Sequence, residues 1–371
     1  VQTCALPISS AGVHPAGIVV CKDPITNHVP LRISNGIVCS QFEGAEVEKM
    51  GLLKFDLLAL KTLTVIENTL KMIKERHGIS IDIDNLEPND PAVFKIFSGS
   101  NSKIDTRGIF QFEGYGISRL LKEIRVDRFE DLIVANALYR PGPLGAGVHD
   151  LYCDYKHGRK KIEYIHPKMG EALSETYGMM IFQENIMRVA QVMAGFTAAQ
   201  SDTLRYAIGK KKEDVMAEMN KLFIDGCNKN GVEKKIAEKI LEQINYFSGY
   251  GFNRSHSAAY SFLAYQMAYL KLYYPIEFMC NLLSSEINNN DKGKKLNSYI
   301  DQSSKMGIKC YKPHINKSGL KFTIDSHNGV EVIRSPLTML KGIGEKAVES
   351  IVANQPFKDL KEFIEKVNTQ A

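Results

Sequence analysis

The sequence of 371 residues has no apolar run approaching the ~18 residues that a membrane span needs, and no basic segment followed by an apolar one of the kind that leads a secreted chain. The expectation is a cytoplasmic protein with no membrane partner. Its seven cysteines, at positions 4, 21, 39, 153, 227, 280 and 310, are odd in number and never form a CxxC pair. That spacing argues against a disulfide framework and a zinc site, and for buried, reduced thiols. A strong excess of one charge is also missing, since 47 lysines and arginines against 42 aspartates and glutamates leave +5. Over this length such a surplus names no partner, so an anion-binding function has to rest on local clusters.

What is present is a globular composition, 44% hydrophobic and 24% charged, in a chain long enough for two or three domains. The densest stretch is Ser248-Gly-Tyr-Gly-Phe-Asn-Arg-Ser-His-Ser-Ala-Ala-Tyr260. Its glycines permit close backbone approach, and the polar residues Asn253 to His256 precede an apolar run that reads as a helix, with Ser255 or Ser257 as N-cap. Free amides beside Arg254 and His256 suit a phosphate. A Gly-rich turn into a buried helix is the other reading. Further along this helix, Phe262, Tyr265, Tyr269 and Tyr273 form a stripe that reads as core, which leaves Tyr260 as the aromatic nearest the polar cluster.

Earlier in the chain, Gly51-Leu-Leu-Lys-Phe-Asp-Leu-Leu-Ala-Leu60 is apolar except for Lys54 and Asp56. In a strand these two leave the same face, and the carboxylate calls for a cation, whether a metal or Lys54 itself. His14, in a turn before the strand Ile18 to Val20, reads as structural. Leu31 to Phe42 reads as a second strand. Tyr139-Arg-Pro-Gly-Pro143 breaks a helix, leaving Arg140 for a phosphate or a salt bridge. The run from Lys156 to Lys161 is a solvated face or a contact for DNA backbone. Residues 179–182 read as a strand before a helix, and Ser201 to Lys212 brings Arg205 together with Lys210, Lys211 and Lys212 beside Gly209, as a phosphate requires. Leu340-Lys-Gly-Ile-Gly-Glu-Lys346, placed between two helices, offers backbone amides to a DNA phosphate at Gly342 and Gly344, with Lys341 and Lys346 adding charge.

Seven collinear motifs, Lys54-Phe-Asp56, Gly108-Ile-Phe-Gln-Phe-Glu113, Ala137-Leu-Tyr-Arg-Pro-Gly-Pro143, Lys156-His-Gly158, Tyr177-Gly178 through Gln183-Glu184, Gly209-Lys-Lys-Lys212 and the stretch ending at Tyr260, resemble those of the α subunits of bacterial DNA polymerase III, the C-family replicative polymerases. The short form of the Arg140 motif and the absence of an inserted exonuclease resemble the main branch rather than its Gram-positive relative. The resemblance implies an α+β fold. Residues 10–61 are then the end of a nucleotidyltransferase-like palm, 62–300 a mainly α-helical fingers domain, and 301–371 the start of a helix-hairpin-helix segment, with 1–9 a stretch foreign to the family.

It implies a DNA-directed DNA polymerase that transfers deoxynucleotides from deoxynucleoside triphosphates to a primer on a DNA template, working with a sliding clamp and clamp loader. Asp56 would be a metal ligand for two Mg²⁺ ions and Lys54 its catalytic neighbour. Arg140, Arg205, Lys210, Asn253, Arg254 and His256 would bind nucleotide. Lys211, Lys212, Lys341, Gly342, Gly344 and Lys346 would bind DNA. Tyr206 stands where the family has a second arginine. The pair Asp82 and Asp84 follows the Lys54-Phe-Asp56 strand instead of preceding it and is rejected as the metal pair, so the chain is expected to begin after that pair. The alternative is a catalytically silent DNA-binding fragment.

Overall fold

The computed structural model describes residues 13–14, 16–34, 36–57, 59–210, 212–247, 251–287 and 293–367, without the side chains of Lys210 and Glu213. The stretch 1–9, Lys211, the Lys210 side chain and Ser248 to Tyr250 therefore lie outside the described residues. The chain divides into two compact units, Val1–Lys61 and Thr62–Ala371.

In the first unit, β1 (Gly17–Val20) pairs antiparallel with β4 (Leu53–Asp56), in the register Gly17 to Asp56 and Val19 to Lys54. Between them lie the hairpin of β2 (Leu31–Ser34) and β3 (Ile37–Ser40), and α1 (Gly44–Lys49). The segment expected to be one strand is thus two, because Gly36 at φ +79° turns the chain back. Val29, Val47 and Leu52 make a small core. The period of two puts Ile18, Val20, Leu53 and Phe55 together on one face of the β1–β4 sheet, where all four are exposed, and Lys54 and Asp56 on the other.

The second unit is mainly helical. The helices α2 (Lys61–His77), α3 (Pro91–Phe97), α4 (Tyr115–Ile124), α5 (Phe129–Leu138), α6 (Pro141–Gly145) and α7 (Val148–Lys156) lead to α8 (Gly170–Leu173). Then come α9 (Gln183–Ala194), α10 (Ala198–Lys210), α11 (Glu213–Lys229) and α12 (Lys234–Phe247), followed by α13 (Arg254–Tyr273), α14 (Pro275–Ser285) and α15 (Lys294–Lys305). Proline sets three of these starts, at Pro91, Pro141 and Pro275, where its missing N–H costs no intrahelical bond.

The long helix α13 runs through the main core and packs against α3, α5 and α14. Of the aromatic stripe read as core, Tyr265 is fully buried 5.5 Å from the Phe94 ring, and its hydroxyl accepts the Asp90 N–H at 2.9 Å, while Phe262 and Tyr269 are half-buried and Tyr273, where the helix runs out of the core, is exposed. A second core, around Val189, Met193, Phe223 and Ile240, joins α9 to α12. There α11 meets α9 so closely that a Cβ on Gly226 would lie 2.2 Å from the Ala194 carbonyl oxygen.

Buried charge is paired. The Asp131 carboxylate accepts from the Tyr152 hydroxyl at 3.2 Å, the Asp127 N–H at 3.2 Å and the Lys156 ammonium, which ties α5 to α7. Burial and that carboxylate push the Tyr152 hydroxyl far above its ordinary value. Lys271, fully buried in α13, donates to the carbonyls of Asp105 and Arg107 at 2.7 and 2.6 Å, and burial pushes its ammonium down to about 7 against the pull of the Asp105 carboxylate.

Residues 179–182 pair through one bridge, Phe182 to Phe252, and not as a strand, because Gln183 already starts α9. Near the end, β5 (Cys310–Tyr311), β6 (Thr323–His327) and β7 (Val330–Arg334) form a sheet ordered β5-β7-β6. The β6–β7 turn places Asn328 and Gly329 at φ +54° and +76°, the conformation that Asn-Gly favours. The Gly342 to Gly344 turn is followed by α16 (Glu345–Asn354) and α17 (Leu360–Lys366). Ahead of it stands only a 3-10 turn, Leu337–Met339, instead of the expected helix: Pro336 holds the chain extended on one side and Gly342 turns it at φ +89° on the other.

Candidate active site

On β4 the Lys54 ammonium lies 3.1 and 3.3 Å from the two oxygens of Asp56, so the same-face spacing expected of i and i+2 is realised. Glycine makes the room. A Cβ on Gly17, directly across from Asp56, would come within 2.9 Å of His14 Nδ1 and 3.2 Å of Lys54 Cε, and Gly44 lines the other side of the lysine stem. His14 Nδ1 accepts the Ala16 N–H at 3.2 Å and stands 3.9 Å from Asp56 Oδ1. A histidine read as structural is therefore a neighbour of the carboxylate. The Asp56 side chain is 53% exposed. Lys54, His14, Arg32 and the β2–β3 hairpin line an open groove of about 1000 Å³.

The second group of site residues meets at the start of α13. Asn253 is extended (ψ 119°) and its side-chain oxygen accepts the His256 N–H at 2.8 Å. Asn253 is thus the N-cap, two and four residues before the serines expected to serve. Ser257 instead turns inward and donates to the Ile133 carbonyl at 2.6 Å. The Glu184 carboxylate takes the Arg254 N–H at 3.1 and 3.0 Å, and the Arg254 guanidinium pairs with Glu175 at 3.0 Å. Two of the first-turn amides, expected free for a phosphate, thus already face protein acceptors.

A row of rings crosses this end of the helix. The Arg140 guanidinium lies 4.5 Å over the Phe252 ring, Phe252 is 5.4 Å from His256, His256 is 4.2 Å from Tyr260, and Tyr260 is 5.2 Å from Phe110. His256 and Arg140 are exposed at its edge. Glu175, Glu184, Arg188 and Arg254 line a groove of about 500 Å³ beside it.

Arg140, Asn253, Arg254 and His256 are therefore brought together. Arg205 lies apart on α10, paired with Asp202 at 2.7 Å, and the neighbouring Tyr206 is exposed. Lys212, exposed, occupies the position before α11 without a side-chain capping bond. Lys341, Gly342, Gly344 and Lys346 all lie exposed in the turn before α16 and its first turn, with Gly344 as N-cap. Sequence reasoning missed Glu184 and Glu175 as partners of Arg254, contacts that span 70 and 79 residues and leave no local signal. It also missed Phe110 as the end of the ring row, although the motif containing it had been singled out.

The comparisons agree along the chain. Residues 5–59 match the model for the bacterial DNA polymerase III alpha NTPase domain, 62–231 that for the bacterial DNA polymerase III alpha subunit finger domain, and 307–371 a helix-hairpin-helix motif. The DNA polymerase III subunit alpha of Aquifex aeolicus is 40% identical over 363 residues, 96% of this chain and 30% of that protein. Those of Campylobacter jejuni and Bacillus subtilis are 40% and 38% identical over 97% of this chain, which covers 30% and 32% of theirs. The chain belongs to the bacterial DNA polymerase III α-subunit family. It spans about a third of the length of these polymerase relatives. The first match begins at residue 5, inside the stretch set aside as foreign. Both the Asp56 strand and the Arg205 helix lie within matched polymerase regions, and the start of α13 follows the finger match. No helix of the described residues is long and apolar enough to cross a membrane.

Proposed function

We propose that the protein is a DNA-directed DNA polymerase of chromosomal replication, extending a primer from deoxynucleoside triphosphates on a DNA template in the cytoplasm. In this reading residues 10–61 belong to a nucleotidyltransferase-like palm, 62–300 to the fingers and 301–371 to a duplex-binding helix-hairpin-helix segment. The observation that supports it best is the meeting of Arg140, Asn253, Arg254 and His256 beside the ring row, which offers cations to phosphates and aromatic faces to a base. Arg205 and Lys210 add to triphosphate binding, Lys54 neutralises charge near Asp56, and Lys211, Lys212, Lys341, Gly342, Gly344 and Lys346 contact DNA backbone. A sliding clamp and a clamp loader are the proposed protein partners.

The proposed cofactor is a pair of Mg²⁺ ions. Magnesium takes oxygen ligands, and the half-exposed Asp56 carboxylate fits as one. Among the described residues no three of His, Cys, Asp and Glu stand together to hold an ion. The residues present thus fit one corner of such a site and not the whole of it. That single carboxylate favours a second reading for the 371-residue chain taken by itself, which is DNA binding without extension. Primer extension and fluorescence anisotropy on one labelled primer–template separate the two. Salt-dependent binding with Mg²⁺-dependent incorporation is expected of the polymerase, and binding alone is expected of the second reading. Absence of both refutes each.

A further inference from the structure

We propose that Gln111 is a specificity-determining residue that reads the edge of a nucleobase stacked beside the ring row, an inference that rests on the nucleotide site proposed above. Gln111 has φ +66°, a left-handed backbone that is costly for a long L side chain and free for glycine. The loop around it is fixed at every other residue. Gly108, at φ +74°, lies against Leu282, where a Cβ would come within 2.3 Å of Leu282 Cδ2. Ile109 and Phe112 are fully buried, and Phe112 meets Phe97 edge-on at 5.6 Å. The Phe110 N–H points at Met267 Sδ at 3.4 Å. Glu113 accepts the Tyr299 hydroxyl at 2.6 Å and pairs with Lys295 at 2.8 Å.

Within 108–113 only Gln111 is exposed. A loop that needed nothing but its shape would carry glycine here, as it does at Gly108. Retaining a glutamine in a strained, exposed and clamped position points to its side chain. That side chain is a carboxamide, which both donates and accepts hydrogen bonds and carries no charge. It therefore suits a base edge and not a phosphate. The residue before it, Phe110, is the ring that ends the row from Arg140 through Phe252, His256 and Tyr260. Rings accept any base by stacking, so an adjoining carboxamide adds the selection that stacking lacks. The base comes either from the incoming nucleotide or from the template strand.

The test uses the full 371-residue chain with its Gln111→Gly and Gln111→Asn variants. Each is titrated with dATP and, separately, with a single-stranded oligonucleotide containing 2-aminopurine, and its thermal midpoint is measured. Gln111→Gly is expected to hold or raise the midpoint while weakening one of the two ligands ~5-fold, the loss of one net hydrogen bond. Gln111→Asn, which keeps the carboxamide and tolerates the backbone, is expected to recover most of that loss. The ligand that weakens identifies the source of the base. Wild-type affinity in Gln111→Gly for both ligands overturns the inference alone, as does a parallel fall of affinity and midpoint, the mark of a purely structural loop residue. A wild-type chain that binds neither ligand overturns the nucleotide-site reading and this inference with it.

Discussion

The Asp56 strand and the start of α13 hold their functional groups by opposite means. Lys54 and Asp56 stand on a two-stranded sheet whose other face leaves Ile18, Val20, Leu53 and Phe55 exposed, with glycines at 17 and 44 clearing space around the lysine. Their partners are each other and His14, half in water, where such pairs contribute little to stability. Arg254 and His256 stand instead on a 20-residue helix with a buried spine, capped by Asn253 and Glu184 and flanked by packed rings. A group held the first way can exchange its partner for a metal or phosphate at small cost. A backbone held the second way is preset, and changing its cap disturbs the fold as well as the chemistry, although the Arg254 guanidinium itself meets Glu175 at the surface.

The largest expected effect separates function from folding at the first site. Asp56→Asn in the complete polymerase should lower primer extension by ~10³-fold or more, with DNA binding and thermal midpoint unchanged; retained extension removes Asp56 from the metal site. The next separates folding from function in the helical unit. Asp131→Ala takes from Lys156 the buried one of its two carboxylates, leaving it Asp127, and leaves the buried Tyr152 hydroxyl without its acceptor, and chemical denaturation should report a loss of about 3–5 kcal/mol. A loss below 1 kcal/mol would mean that this network contributes no more than a surface pair.

A pH dependence follows from the β6–β7 hairpin. The Arg334 hydrogen bond holds the Asp325 carboxyl down to about 2, burial opposes this, and Lys317 helps. Because the folded value lies below the unfolded ~3.9, the stabilisation is complete above pH ~4 and is lost as pH falls towards 2. Asp325→Asn should flatten that acid limb, as read by circular dichroism between pH 2 and 5, and an unchanged slope would remove the linkage. The smallest effect tests the cap. Asn253→Ala should cost about 1 kcal/mol in denaturation, whereas His14→Ala, at the open site, should leave the midpoint in place. If both variants behave alike in the same assay, the contrast between the two regions fails.

Local chemistry was legible in the sequence and long-range chemistry was not. Period two placed Lys54 beside Asp56, Asn328-Gly329 set its hairpin, and Tyr265 declared itself as core, since each depends on residues within a few positions, whereas the end of the same stripe at Tyr273 emerges into solvent. The N-cap was misplaced by two to four residues because serine and asparagine cap alike, and only the fold shows Asn253 accepting the His256 N–H and Ser257 turned to the Ile133 carbonyl. The carboxylates that meet Arg254 come from segments 70 and 79 residues earlier, beyond any local pattern. His14 looked inert because its meaning depends on Gly17 standing across from Asp56, a register that only strand pairing sets.

The bridge between Phe182 and Phe252 closes a loop. The Gln183 N–H reaches the Phe252 carbonyl at 3.0 Å and the Phe252 N–H reaches the Ile181 carbonyl at 3.3 Å, so entrance and exit of the segment carrying α9 to α12 lie side by side like the neck of a bag. The contents of such a segment can grow, shrink or be exchanged in evolution without changing the distance across its neck. Glu184 and Arg254, one residue or two beyond the stitches, would keep their meeting through any such change, and the helix bearing Arg205 can vary while the start of α13 stays put.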